Sequence, residues 1–201
     1  MRMSLVILGF FCVGLFAGYS GWLPESWTQS DFSLYALYLL MFLVGISIGA
    51  DSGSFRAIRN HGPRLFLIPA VTILGTFAGV VIVSLFSGDL LVLESLAVGA
   101  GFGYYSLSSV IIGELYSETL GVVALLSNIM REVITLLFAP VMVTAFGKLA
   151  PIVSAGATSM DTTLPVISAS AGKDYAVIAL FHGIILTILV PVIVTLIISF
   201  L

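Results

Sequence analysis

Apolar residues run almost unbroken along this chain, and a handful of polar interruptions divides them. The breaks leave seven hydrophobic segments, roughly 3–20, 33–50, 63–87, 90–113, 118–146, 149–170 and 174–200. A helix of about 20 apolar residues crosses a bilayer, so each segment has close to the length or more that one passage needs. The connections are short. The pattern predicts an all-α polytopic membrane protein, a single transmembrane domain over 1–201 with no soluble domain. The first segment follows Arg2 and has some features of a signal peptide. It runs longer than a signal core and leads into a linker holding Trp22 and Trp27, which predicts a retained helix.

Two segments depart from a plain lipid-facing helix. In 90–113, the run from Gly99 to Ser109 sets three glycines and three serines at mid-segment, where helix propensity is poor. In 149–170, small and hydroxyl residues crowd around Asp161 and end at Pro165. Both are expected to be discontinuous or re-entrant. Irregular backbone at membrane depth survives only where protein buries it or it lines a wet cavity, and such segments form the midplane sites of many transporters. The alternative is that small residues simply let helices pack closely. Each interrupted segment is followed by a long helix carrying polar residues, Asn128 to Glu132 in one case and His182 in the other, which hints at a duplicated unit.

Composition sharpens this picture. Of 201 residues 60% are hydrophobic and 8% charged, and the mean hydropathy is +1.22, against about 45–50% and about 25% in soluble domains. A water-soluble enzyme is excluded. A net charge of −3 without a basic tail gives no support to nucleic-acid binding. A single cysteine, Cys12, excludes an internal disulfide and a multi-cysteine metal centre. Arg56, Arg59 and Arg64 cluster between the second segment and the start of the third, whereas 21–32 carries acids and tryptophans but no base. The excess of basic residues on cytoplasmic loops then places the N-terminus inside and, if all seven segments cross, the C-terminus outside.

The candidate chemistry lies in polar residues at membrane depth. A charge there costs about 2.5–3.5 kcal/mol, so an intramembrane carboxylate is a functional candidate by default. Glu132 sits near the middle of the fifth segment, about 20 Å by helical rise from either end, with Asn128 and Thr135 on the same face. Arg131, one step round, can pair with Glu132 or with Asp161. Asp161 is flanked by Thr158, Ser159, Thr162 and Thr163. Hydroxyls and freed carbonyls there can hold a cation, and free N–H groups can hold a carboxylate; helix capping by Asp161 or Thr162 is the alternative. His182 can relay protons or make a static hydrogen bond. Asp51 closes the second segment as a solvated cap or as a ligand.

These residues resemble the LysO-type lysine exporters of prokaryotes. The resemblance rests on 101–108 (Gly-Phe-Gly-Tyr-Tyr-Ser-Leu-Ser), on Asn128 with Arg131 and Glu132, on 156–165 (Gly-Ala-Thr-Ser-Met-Asp-Thr-Thr-Leu-Pro) and on His182-Gly183, and it spans nearly the whole chain. It implies export of L-lysine and lysine analogues across the cytoplasmic membrane, no enzymatic activity, and a fold related to cation/proton antiporters and bile-acid symporters. It carries a site over to Glu132 and Asp161 with Asn128 and Arg131, and its motifs add Tyr104, Tyr105, Ser106, Ser108, Thr158, Ser159, Thr162 and His182. Many members are longer by an N-terminal part of about three spans that can hold an important acid, so a separate small membrane subunit or a homodimer is the expected partner. No cofactor is implied.

Lysine carries two ammonium groups and one carboxylate, and its binding calls for at least one acid plus an anion-binding helix end or an arginine. Exporting its net charge against an inside-negative potential costs about 2.3 kcal/mol per 100 mV, so inward proton coupling is expected, with sodium as the alternative ion. An intramembrane aspartyl protease built on Asp51 and Asp161 is the rival of another class. Its signature is absent around both residues.

Overall fold

The computed structural model describes residues 62–87 and 90–201, with isolated positions between 9 and 21 and at 46. The first two predicted segments, and with them Asp51, therefore lie almost wholly outside the described residues. A 3-10 turn, Gly62–Phe66, opens into α1, Leu67–Ser87. Then follow α2, Val92–Gly99, α3, Tyr105–Leu115, and α4, Glu118–Phe146. The chain continues through α5, Ala150–Ala155, a 3-10 turn, Gly156–Met160, α6, Leu164–Ala171, and α7, Lys173–Ile198. Among the described residues only α1, α4 and α7 are long and apolar enough to cross a membrane.

Segments four and six are interrupted, as their composition predicts, and each folds back on itself. The α2–α3 hairpin is closed at its open end by Glu94, which accepts from Leu91 N–H and from the Tyr116 hydroxyl, both at 2.8 Å. That bond holds the Tyr116 phenol above its usual pKa range. The start of α2 and the end of α3 therefore share one end of the bundle, here called upper. From there α4 descends, its first turn capped by Ser117 accepting from Leu120 N–H. The α5–α6 hairpin enters from the lower end. Lys148, just before α5, sits 5.3 Å from the Tyr175 ring centroid at the start of α7, and Ile152, Ile167 and Ala176 share one apolar cluster with Leu65. Helix α7 then rises to the upper end, where Val194 and Ile198 meet Ile112 and Leu120.

Helix followed by hairpin thus occurs twice in opposite directions, as α1 with α2–α3 and as α4 with α5–α6. The two tips touch halfway along the bundle, where Ala157 N–H donates to the Phe102 carbonyl at 2.8 Å. Glycine makes this approach possible. Gly103 and Gly156 have φ of 95° and 68°, and a Cβ on Gly103 would fall 2.7 Å from the Ala155 carbonyl while one on Gly156 would collide with that of Phe102. Phe102 itself is fully buried with φ 43°, a left-handed conformation that costs a bulky residue strain.

The outward faces are apolar, and the polar groups point inward. Exposed residues recur about every fourth position, Val122, Leu126, Met130, Ile134 and Phe138 on α4 and Ile184, Ile188, Val192 and Leu196 on α7. Thr72, Thr135, Thr163, Ser159 and His182 are buried to 1% exposure or less. This inside-out distribution suits lipid contact.

Candidate functional site

Beside the touching tips, two carboxylates at bundle mid-depth, Glu132 and Asp161, come within electrostatic reach of each other. Asp161 ends the irregular stretch of the lower hairpin, and its carboxylate accepts from the Thr162 backbone N–H at 2.6 Å and from the Thr162 hydroxyl at 3.3 Å. The Thr162 side chain also faces Glu132 from the middle of α4, and Glu132 lies in the field of the Asp161 carboxylate. Tyr105, the first residue of α3, feels the charge of both. Two helix starts, those of α3 and α6, open at the tips without a side-chain cap, so partial positive ends surround the acids. Glu132, Asp161, Thr162 and Tyr105 therefore form one cluster drawn from α4 and both hairpins. A pair of carboxylates at membrane depth is relieved by a proton or by an organic cation held between them.

The other sequence-predicted residues do different work. Arg131 turns away from both carboxylates, so neither of the ion pairs that the sequence allows is formed. Its Nε donates to the Ser154 carbonyl at 2.7 Å and one Nη to that of Val153 at 3.0 Å, while the other Nη reaches the Thr76 hydroxyl at 3.2 Å. The physical reason is that α5 ends at mid-depth with unsatisfied carbonyls, which a cation caps. Thr135 joins the same grip, 2.7 Å from the Ser154 hydroxyl. A cavity of about 660 Å³ between α1, α2, α4 and α5 is lined by Arg131, Asn128, Thr76 and Ser154, and none of the four residues of the acidic cluster lines it.

Asn128 pins the upper tip. Its Oδ1 accepts from Gly103 N–H at 2.7 Å, and its Nδ2 donates to the carbonyls of Val98 and Ala124. Ser108 donates to the Tyr104 carbonyl, and the Tyr104 side chain packs against the upper apolar core. Thr158 and Ser159 are buried inside the lower tip, Thr158 donating to the Ala155 carbonyl and Ser159 to that of Ala179. His182 lies between Ser159 and Thr72. Ser106 is exposed at the start of α3, and its carbonyl accepts from Ser109. Sequence reasoning missed Thr72, Thr76 and Ser154. A signal existed for the two threonines, since Thr72, Thr76 and Ser84 recur at multiples of four along α1 and so mark a polar stripe.

No solved structure matches the chain. It is 32% identical over 196 residues to the lysine exporter LysO of Escherichia coli K12, covering 95% of this chain and 62% of that protein. It is 30% identical over 182 residues to a Haemophilus influenzae protein named as a candidate lysine exporter, covering 90% of this chain and 92% of the relative. These relatives are named as transporters and not as enzymes. With a family model matching residues 8–198, the chain belongs to the lysine exporter LysO family.

Proposed function

We propose that this chain is the transport core of a secondary exporter of L-lysine and its analogues in the cytoplasmic membrane, working by proton antiport. The observation that carries the reading is the cluster of Glu132, Asp161, Thr162 and Tyr105 at the meeting of two oppositely directed hairpins. A lysine ammonium displaces a proton from the carboxylate pair, and the open start of α3 at Tyr105 and Ser106 receives the α-carboxylate. Arg131, held by carbonyls, organises the lower hairpin and does not bind that carboxylate. Exchange of one lysine for one proton moves no net charge, so the pH gradient supplies the driving force. Each hairpin then gates one side of the site, which is the arrangement alternating access requires.

The distribution of bases supports an orientation. Arg64, Lys148 and Lys173 all lie at the lower end, while Glu94, Glu114 and Glu118 lie at the upper end. By the positive-inside rule the lower end is cytoplasmic. The C-terminus then lies outside, because α1, α4 and α7 make three crossings starting from the lower end. A second copy or the part that the longer relative contains completes the assembly.

Labelled-lysine efflux from proteoliposomes holding only this chain, under an imposed pH gradient, tests the reading. Gradient-dependent efflux that Glu132→Gln abolishes at normal expression is the expected result. Undiminished efflux in that variant removes the role of Glu132, and dependence on sodium overturns the coupling ion. Silence from folded protein opposes the reading that this chain exports lysine by itself.

A further inference from the structure

We infer that the two acids divide the work of exchange, Glu132 carrying the exchangeable proton and Asp161 keeping a standing negative charge. The inference rests on the proton-antiport reading above and deepens it. It starts from what each carboxylate accepts. Asp161 lies where the lower hairpin is irregular, so backbone N–H groups there face side chains, and that of Thr162 donates to its carboxylate at 2.6 Å. Three residues on, α6 begins without a side-chain cap and with Pro165 in its first turn, so Asp161 also stands before a partial positive end. Glu132 is placed in the opposite way. It lies inside the unbroken run of α4, Glu118–Phe146, where each backbone N–H is bound to the carbonyl one turn back. No backbone donor of its own helix is left for it, and the group that it faces is the Thr162 hydroxyl.

That hydroxyl does not separate the two acids. It has one proton, lies 3.3 Å from Asp161 Oδ1 and also faces Glu132, so it serves one carboxylate at a time. The backbone N–H cannot be shared in this way. Hydrogen bonds to a carboxylate favour its charged form, and two like charges within reach of each other favour a proton on one of them. The proton therefore goes to the acid with fewer fixed donors, which is Glu132. The other ionisable groups do not reverse this order. Tyr105 of α3 feels both acids, Arg131 is turned to the carbonyls of Val153 and Ser154, and His182 of α7 is held between Thr72 and Ser159. Tyr104 packs against the upper apolar core. Helices α1, α5 and α6 carry no ionisable side chain. Glu94 and Glu114 lie towards the upper end, and Lys148, Lys173, Asp174 and Tyr175 lie at the lower.

The charge of the site follows from this division. Before lysine arrives, Asp161 is charged and Glu132 is protonated, so the pair holds one negative charge. Lysine enters with a net positive charge. The O–H bond of Glu132 breaks, its proton leaves to the water on the cytoplasmic side, and the two carboxylates flank an ammonium that keeps its own protons. The loaded site again holds one net negative charge. Only the empty, unprotonated pair holds two, and that form is the one that membrane depth penalises most. The carrier therefore crosses with a proton or with lysine and does not return empty, which makes the exchange obligatory.

Infrared difference spectra of the whole chain in lipid, with and without lysine at neutral pH, read the proton without transport. A protonated carboxylic acid has a carbonyl stretch that a carboxylate lacks, and ¹³C at the carboxyl of one residue type at a time, introduced by cell-free synthesis, tells glutamate from aspartate. The expected result is an acid band that lysine removes, that shifts with the glutamate label and not with the aspartate label, and that Glu132→Gln lacks. A band that shifts with the aspartate label overturns the division and leaves the exporter reading intact, since lysine still displaces a proton. A glutamate band that survives in Glu132→Gln also overturns it. If lysine binds and removes no acid band, the division and proton antiport both fall. Where Glu132→Gln fails to fold, Glu132→Asp takes its place, and its band is expected to answer to the aspartate label; a band that stays with the glutamate label overturns the division.

Discussion

At the scale of single residues, neighbours in sequence divide the labour. Arg131 and Glu132 project to different sides of α4, the first clamping the carbonyls of Val153 and Ser154, the second facing Thr162. Hydrogen bonds from a charged donor contribute about 1.5–3 kcal/mol each, so Arg131→Met is expected to lower the thermal midpoint in detergent markedly. Arg131→Lys keeps the charge but not the fork of donors and is expected to recover part of it. Equal midpoints for the Met variant and the wild type would remove the clamp. Glu132 and Asp161 are legible from sequence because a carboxylate inside an apolar run has few explanations. The target of Arg131 is not legible, because it is a pair of backbone carbonyls that exist only once α5 has ended.

At the scale of elements, the interruptions in 90–113 and 149–170 are visible as glycine and hydroxyl runs, whereas their direction is not. Whether a chain crosses or turns back depends on contacts far apart in sequence, such as Tyr116 with Glu94 and Lys148 with Tyr175. What composition does show is where two backbones need to touch. Gly156 has positive φ and no room for a Cβ beside Phe102, whereas Gly79 on α1 has no described atom within 4 Å of the position a Cβ would take. Overpacking costs about 1–3 kcal/mol, and a left-handed alanine adds about 1–2 kcal/mol. Gly156→Ala is expected to reduce the yield of folded protein sharply and Gly79→Ala to leave it unchanged, read by size-exclusion profile and thermal midpoint. Equal behaviour of the two would mean that the tips do not meet.

At the scale of the molecule, the three long helices and two half-depth hairpins among the described residues place Lys148 and Lys173 at one face and Glu118 at the other. A cysteine introduced at Lys148 in a Cys12→Ser background is expected to react with an impermeant maleimide only from the cytoplasmic side, and one at Glu118 only from outside. Labelling of both from one side would undo the hairpin topology. The seven hydrophobic segments thus need not mean seven passages, since an amphipathic count reads length and polarity but not return.

The inverted repeat has a consequence for direction. Its elements recur in opposite directions, but its chemistry does not: the lower hairpin and α4 carry Asp161, Glu132 and Arg131, while α1 at the corresponding depth offers Gly75 and Thr76. A carrier with true two-fold symmetry would present the same affinity to both faces of the membrane. On the exporter reading, breaking that equality would make the inward-open and outward-open forms unequal in energy, so lysine would be held with different strength on the two sides. The gradients decide the net flow, and this built-in bias sets the concentrations at which each side saturates.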